Sequence, residues 1–187
     1  MRIGNKNEIA AKANASSRAL VGFGAGLSTH YDVECRDKNG NLKWTDEIDN
    51  LVVTAGLNDN LTQYFKGSSY NAAWFIGLTG ATPTFAAADT MTSHSGWAEV
   101  TAYSETYRQT LTLGTASAGS IDNTASKAVF TISSNGTAIG GAFLATSHTK
   151  SEAASTLYGG GAFTGGNKTL SSGDTLTVTI TLTATAS

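Results

Sequence analysis

The apolar positions of this chain change period along its length, and the changes mark its elements. From residue 30 to 36 they alternate, with Tyr31, Val33 and Cys35 on one side and Asp32, Glu34 and Arg36 on the other. Period two is the pattern of a half-buried strand. Asp37-Lys38-Asn39-Gly40-Asn41 interrupts it, and Leu42, Trp44 and Asp46 then resume the alternation. An Asn-Gly pair between alternating runs predicts a hairpin, because both positions tolerate positive φ. The period next moves to three and four. Leu57, Leu61, Tyr64 and Phe65 predict a helix over 54–66, with Thr54 as its N-cap and Gly67 as its stop.

From Ala72 onward the chain reads as strand and turn. Residues 73–78 are a short buried run, and Pro83 opens a loop to about residue 96 in which Asp89-Thr90-Met91 predicts a single helical turn. Strands are predicted near 97–103, 107–113, 127–133, 137–146, 155–163 and 175–185. In the last, Leu176, Val178, Ile180 and Leu182 face in while Thr177, Thr179, Thr181 and Thr183 face out. Short strands separated by Gly-containing turns predict a mainly β fold, an antiparallel β-sandwich of jelly-roll or Ig-like type with one short helix.

Residues 1–28 break the pattern. Glu8 to Leu20 is Ala-rich, and Val21 to Gly26 is apolar and interrupted by glycine. An isolated helix this short is marginal in water, so the segment reads as an extended N-terminal arm on a domain spanning 29–187. Ile3, Ile9, Leu20, Val21 and Phe23 are its candidate protein-binding anchors. A strap on its own domain, or an unstructured terminus, is the competing reading.

Composition narrows the function classes. Of 187 residues only 14% are charged, the net charge is −2, and lysines and arginines are scattered singly. Nucleic-acid grooves need clustered basic residues, so no nucleic-acid partner is expected. No apolar stretch approaches the ~20 residues that span a bilayer, Met1 to Gly26 does not read as a secretory leader, and no membrane partner is expected. The single cysteine, Cys35, excludes an internal disulfide and reads as a small buried hydrophobe.

The candidate chemistry is thin. His30, His94 and His148 lie far apart and lack the close pairing of metal ligands. Asp89, His94 and Ser95 share one loop, too close in sequence to orient one another as a triad, and read as surface polar residues. Asp46, Glu47 and Asp49, with Asp32 and Glu34 on the partner strand, invite calcium or paired-carboxylate catalysis. Arg36, Lys38 and Lys43 in the same hairpin make cross-strand charge pairing the simpler account. Gly159-Gly160-Gly161 predicts a twisted edge or hairpin where backbones approach closely. Trp97, Tyr103, Tyr107 and Tyr158 are either core or a carbohydrate-stacking platform. No catalytic residue, metal or cofactor is expected.

The order of segments carries a resemblance. Asn50-Leu51-Val52-Val53-Thr54-Ala55-Gly56-Leu57-Asn58 is followed by Trp74-Phe75-Ile76-Gly77-Leu78-Thr79, then by residues 88–99 ending in Gly96-Trp97-Ala98-Glu99. Ala102-Tyr103-Ser104-Glu105, Lys127 to Ile132, Gly140-Gly141-Ala142-Phe143, Leu157-Tyr158, Phe163 and Gly173 to Val178 complete it. In this order they resemble a family of small virion structural proteins of tailed bacteriophages, over about Tyr31 to Thr183. The resemblance implies a virion component and brings no catalytic residues; a non-enzymatic protein made in the host cytoplasm is expected, with the phage head surface as its first expected location. Its first expectation is a capsid decoration or cement protein whose partner is the major capsid protein. The exposed Thr face and Gly-rich edge also predict a homo-oligomer, a trimer in the first instance. The alternative is a head-fibre or tail-associated adhesin that binds host-surface glycan, with Trp97 and Tyr158 as its glycan-binding pair.

Overall fold

A hairpin forms where the Asn-Gly pair predicts one. In the computed structural model, which describes residues 26–67 and 73–185, β1 (Gly26–Arg36) and β2 (Leu42–Asp49) run antiparallel. Asp37 closes the turn by accepting from Asn39 N, Asn41 N and Asn41 Nδ2, and Gly40 takes the left-handed φ of 85°. On its other side β1 pairs along its whole length with β13 (Thr175–Thr185), from Gly26↔Thr185 to Arg36↔Thr175. Gly26, Leu27 and Ser28 therefore belong to the domain and not to the arm. The predicted anchors Ile3, Ile9, Leu20, Val21 and Phe23 lie outside the described residues.

The first sheet has the order β2-β1-β13-β7, with β7 at Ser120–Asp122, and β8 (Ala128–Thr131) also pairs with β13. The second has the order β3-β11-β10-β4-β5. Its strands are β3 (Leu51–Val52), β4 (Phe75–Thr79), β5 (Glu99–Val100), β10 (Gly141–Ala145) and β11 (Leu157–Ala162). β6 (Gln109–Thr110) also pairs with β4, and β9 (Thr137–Ile139) with β12 (Lys168–Leu170) forms a separate ribbon. The sheets pack face to face as an antiparallel β-sandwich. Tyr31, Val33, Phe130, Leu176, Val178 and Ile180 of the first meet Ile76, Leu78, Ala142 and Leu144 of the second, all essentially water-free. Each of the buried Val, Leu, Ile and Phe side chains contributes about 1.5–3 kcal/mol by leaving water.

The second sheet is covered on its other face too. Val53, Met91, Trp97, Phe143, Ala145 and Leu157 form a second apolar cluster there, with Phe85 against it. Burial on both faces explains why β4 and β10 read as continuous apolar runs without alternation. The predicted strand 137–146 splits at Gly140, where Asn167, Pro83 and the Gly80 carbonyl leave no room for a Cβ. β9 then joins β12, while β10 joins β4 and β11. The glycines of β11 do mark a close approach, with Gly159 against the Leu51 carbonyl and Gly160 under the Phe85 ring. They sit inside the sheet, however, paired to β3 as well as β10. No helical turn forms at Asp89-Thr90-Met91. Thr90 and Ser93 make a β-bridge instead, and Asp89 N donates to Ala86 O.

Strands expected at 97–103 and 107–113 shrink to the two-residue β5 and β6. A buried ion pair holds the chain here: Arg108 Nε donates to Glu99 Oε1 and Arg108 Nη2 to Glu99 Oε2, each at 2.8 Å.

Candidate functional site

The helix α1 (Thr54–Lys66) spans the expected residues, and Gly67 stops it in the left-handed conformation. Its N-cap is Val53, not Thr54, and no side chain caps it. Val53 is fully buried in the second cluster, and Thr54 N donates to Ala87 O, so packing and a neighbouring loop replace the hydroxyl cap.

The orientation of α1 is the unusual feature. An apolar stripe on a helix normally faces the core. Here Gly56 is the buried residue, resting so close on the Tyr158 backbone that a Cβ would overlap it. Asn60 Nδ2 approaches the Tyr158 hydroxyl at 3.4 Å on the same inward side. At about 100° per residue, Phe65 lies half a turn from Gly56, and Leu57, Leu61 and Tyr64 stand beside it. They are left 42% (Leu57), 57% (Leu61), 83% (Tyr64) and 78% (Phe65) exposed. Tyr64 and Phe65 meet edge to face at 4.9 Å, forming one aromatic knob. The glycine that permits the close approach to β11 fixes the rotation, and the rotation turns the apolar face to solvent.

The aromatics proposed for glycan stacking are elsewhere. Trp97 is buried, stacked on His94 at 3.7 Å and on Phe85 at 4.9 Å. Tyr158 is buried against Trp74, and Tyr103 against Phe130. Trp97 and Tyr158 therefore present no stacking platform, and the core reading holds for them. Of the four, Tyr107 alone is exposed. Asp89 is a buried acceptor for Trp97 Nε1 at 3.1 Å, and His94 Nδ1 lies 3.0 Å from Trp97 O. Asp89 and His94 thus support Trp97 from two sides. Cys35 is fully buried, and burial, with Asp174 nearby, pushes its thiol up to about 11.

The outer face of the first sheet gathers the hairpin carboxylates. Register sets His30 opposite Asp49, Asp32 opposite Glu47 and Glu34 opposite Thr45. The expected Lys and Arg cross-strand pairs do not form. A register shift after Cys35 puts Arg36 opposite Leu42, and Arg36 bonds Glu34 on its own strand at 2.6 Å. That hydrogen bond holds Glu34 below the usual carboxylate range. Lys43 reaches Asp174 instead.

An open groove of about 620 Å³ crosses this face, between the sheet residues Asp32, Glu47 and Thr179 and the loop at Thr164 and Gly165. Asp46 anchors that loop, as the alternation that turns it inward requires. Its Oδ1 accepts from Gly165 N, Thr164 Oγ1 and Glu47 N, and Lys168 Nζ lies 2.8 Å from Oδ2. Burial alone raises the Asp46 carboxyl, but these donors outweigh it and hold the group at about 2.

No protein-family model, no curated protein and no solved structure matches this chain. No helix among the described residues is long and apolar enough to cross a membrane.

Proposed function

We propose that this chain is a non-enzymatic structural protein of a tailed-phage virion, a capsid decoration or cement protein that docks on the shell of major capsid protein at the head surface. The observation that carries the docking part is the outward apolar face of α1, with Leu57, Leu61, Tyr64 and Phe65 exposed on one side of one helix. A contiguous apolar patch rimmed by polar residues marks an interaction surface, and aromatic knobs are the side chains that dominate such contacts. The assignment to a phage virion is supported by the order of segments from Tyr31 to Thr183. The glycan-adhesin alternative loses support, because Trp97 and Tyr158 are core residues.

The test is sedimentation and electron microscopy of the purified protein mixed with matching phage heads that lack it. Regular occupancy at symmetry-related positions is expected. The double variant Leu61→Ser/Phe65→Ser should fold, since neither side chain is buried, and should lose binding. Full occupancy by this variant would overturn the role of the helix, and absence of wild-type binding would overturn decoration. An arm deletion in the same assay should end at residue 25, because removing residues 26–28 would strip three registered pairs from β1.

A further inference from the structure

We propose that His30, Asp32 and Glu47 form a binding site for a divalent transition-metal ion of the zinc class, with Asp49 orienting the imidazole. The inference does not depend on the virion reading.

The β-ladder supplies the placement. His30 and Asp32 are two apart on β1 and share its outer face, and Glu47 lies directly opposite Asp32 on β2. One ligand atom from each of the three lies within 4.8 Å of the other two. His30 Nε2 and Asp32 Oδ1 are 3.6 Å apart, too far for a hydrogen bond. Metal–ligand bonds of about 2.0–2.2 Å in a tetrahedral site set neighbouring ligand atoms roughly 3.4 Å apart. The separation already present is close to one edge of that tetrahedron.

The second ring nitrogen is engaged. His30 Nδ1 lies 3.3 Å from Asp49 Oδ1. With Nδ1–H donating to that carboxylate, the Nε2 lone pair is left toward Asp32 and Glu47. A carboxylate behind the imidazole is the usual support of a metal-bound histidine.

Electrostatics point the same way. Like charges directly opposite in an antiparallel pair repel. Among the described residues, neither Asp32 nor Glu47 forms an ion pair with a lysine or arginine. A bound cation would remove this conflict. One imidazole nitrogen and two carboxylate oxygens suit zinc and its neighbours, whereas calcium takes six to eight oxygens. Three protein ligands leave a fourth position open on the solvent side.

Calorimetry and thermal melts of the full chain with zinc chloride test this, with magnesium and calcium chloride as counter-probes. One saturable zinc site and a raised melting temperature are expected, with no comparable effect of magnesium or calcium. His30→Ala should abolish the site, and Asp32→Asn/Glu47→Gln should weaken it strongly. Asp49→Asn should weaken zinc binding about ten- to hundredfold while leaving it detectable. All four side chains lie on the sheet's outer face, and circular dichroism checks that each variant folds. Imidazole resonances of the wild type, followed during the titration, identify the ligand without any variant: the His30 signal must move, and those of His94 and His148 must not. Undiminished zinc binding in His30→Ala, or no saturable binding by about 1 mM zinc, would overturn the proposal.

Discussion

Replacing Glu99 by Ala should cost this domain about 3–5 kcal/mol, because it strands a buried guanidinium. The Arg108 side chain is fully buried and that of Glu99 nearly so. Arg108 donates to both Glu99 oxygens at 2.8 Å, to Ser147 O at 3.0 Å and to Glu152 O at 3.3 Å. Glu99 Oε2 also accepts from Ser151 N at 2.8 Å. The pair thus joins β5, the segment entering β6 and the loop between β10 and β11. Few of those contacts are replaced by ladder hydrogen bonds, since β5 and β6 have two residues each. Small domains have about 5–15 kcal/mol in total, so the loss would consume a large part of it. Urea unfolding followed by circular dichroism measures the change. The double variant Glu99→Leu/Arg108→Met removes both charges and should recover most of the loss, since apolar replacement of a buried pair is often near neutral. A loss below about 1 kcal/mol for Glu99→Ala, the range of exposed pairs, would refute the reasoning.

Three further outcomes are expected. Asp46 has a folded-state value of about 2, below the ~3.9 of an unfolded aspartate. It therefore contributes about 2 kcal/mol above pH 4, lost as pH falls from about 4 to 2; Asp46→Asn should remove this part of the pH dependence of urea unfolding. Cys35, pushed up to about 11 by burial, should resist a thiol reagent at pH 8 in the folded protein and react once urea unfolds it. Gly77→Ala places a Cβ inside the Phe143 ring and should cost about 1–3 kcal/mol as overpacking, read as a lowered melting temperature.

The strands legible in the sequence are those with one face buried. In β1, β2 and β13 the alternation maps directly onto burial, as with buried Leu176, Val178 and Ile180 between half-exposed threonines. The second sheet is buried on both faces, so alternation carries no information there. Two-residue strands such as β3, β5 and β6 leave no periodic trace at all. The limits of α1 were legible in Leu57, Leu61, Tyr64, Phe65 and Gly67, but periodicity finds a stripe without showing what it meets. The deciding residue was Gly56, whose signal is only the absence of a side chain. Ligand spacing along the chain does not single out His30. Its neighbours Glu47 and Asp49 are reached only across the hairpin, whose register follows from Asn39-Gly40 once the bulge after Cys35 is known. Arg108 and Glu99 gave no warning of burial, since each is an isolated charge in a loop-rich stretch.

The full-length pairing of β1 with β13 has a mechanical consequence. Because Gly26 faces Thr185 at one end of the ladder, tension drawn between the chain before residue 26 and the chain after residue 185 acts across the strands. The pairs then bear the load one at a time, from Gly26↔Thr185 toward Arg36↔Thr175, as a zipper does. A load entering through the exposed face of α1 meets Gly56 seated on the Tyr158 backbone and spreads into the second sheet. A pull on the two ends at Gly26 and Thr185 therefore finds the weakest direction of the first sheet, so an anchor that must withstand force belongs away from them.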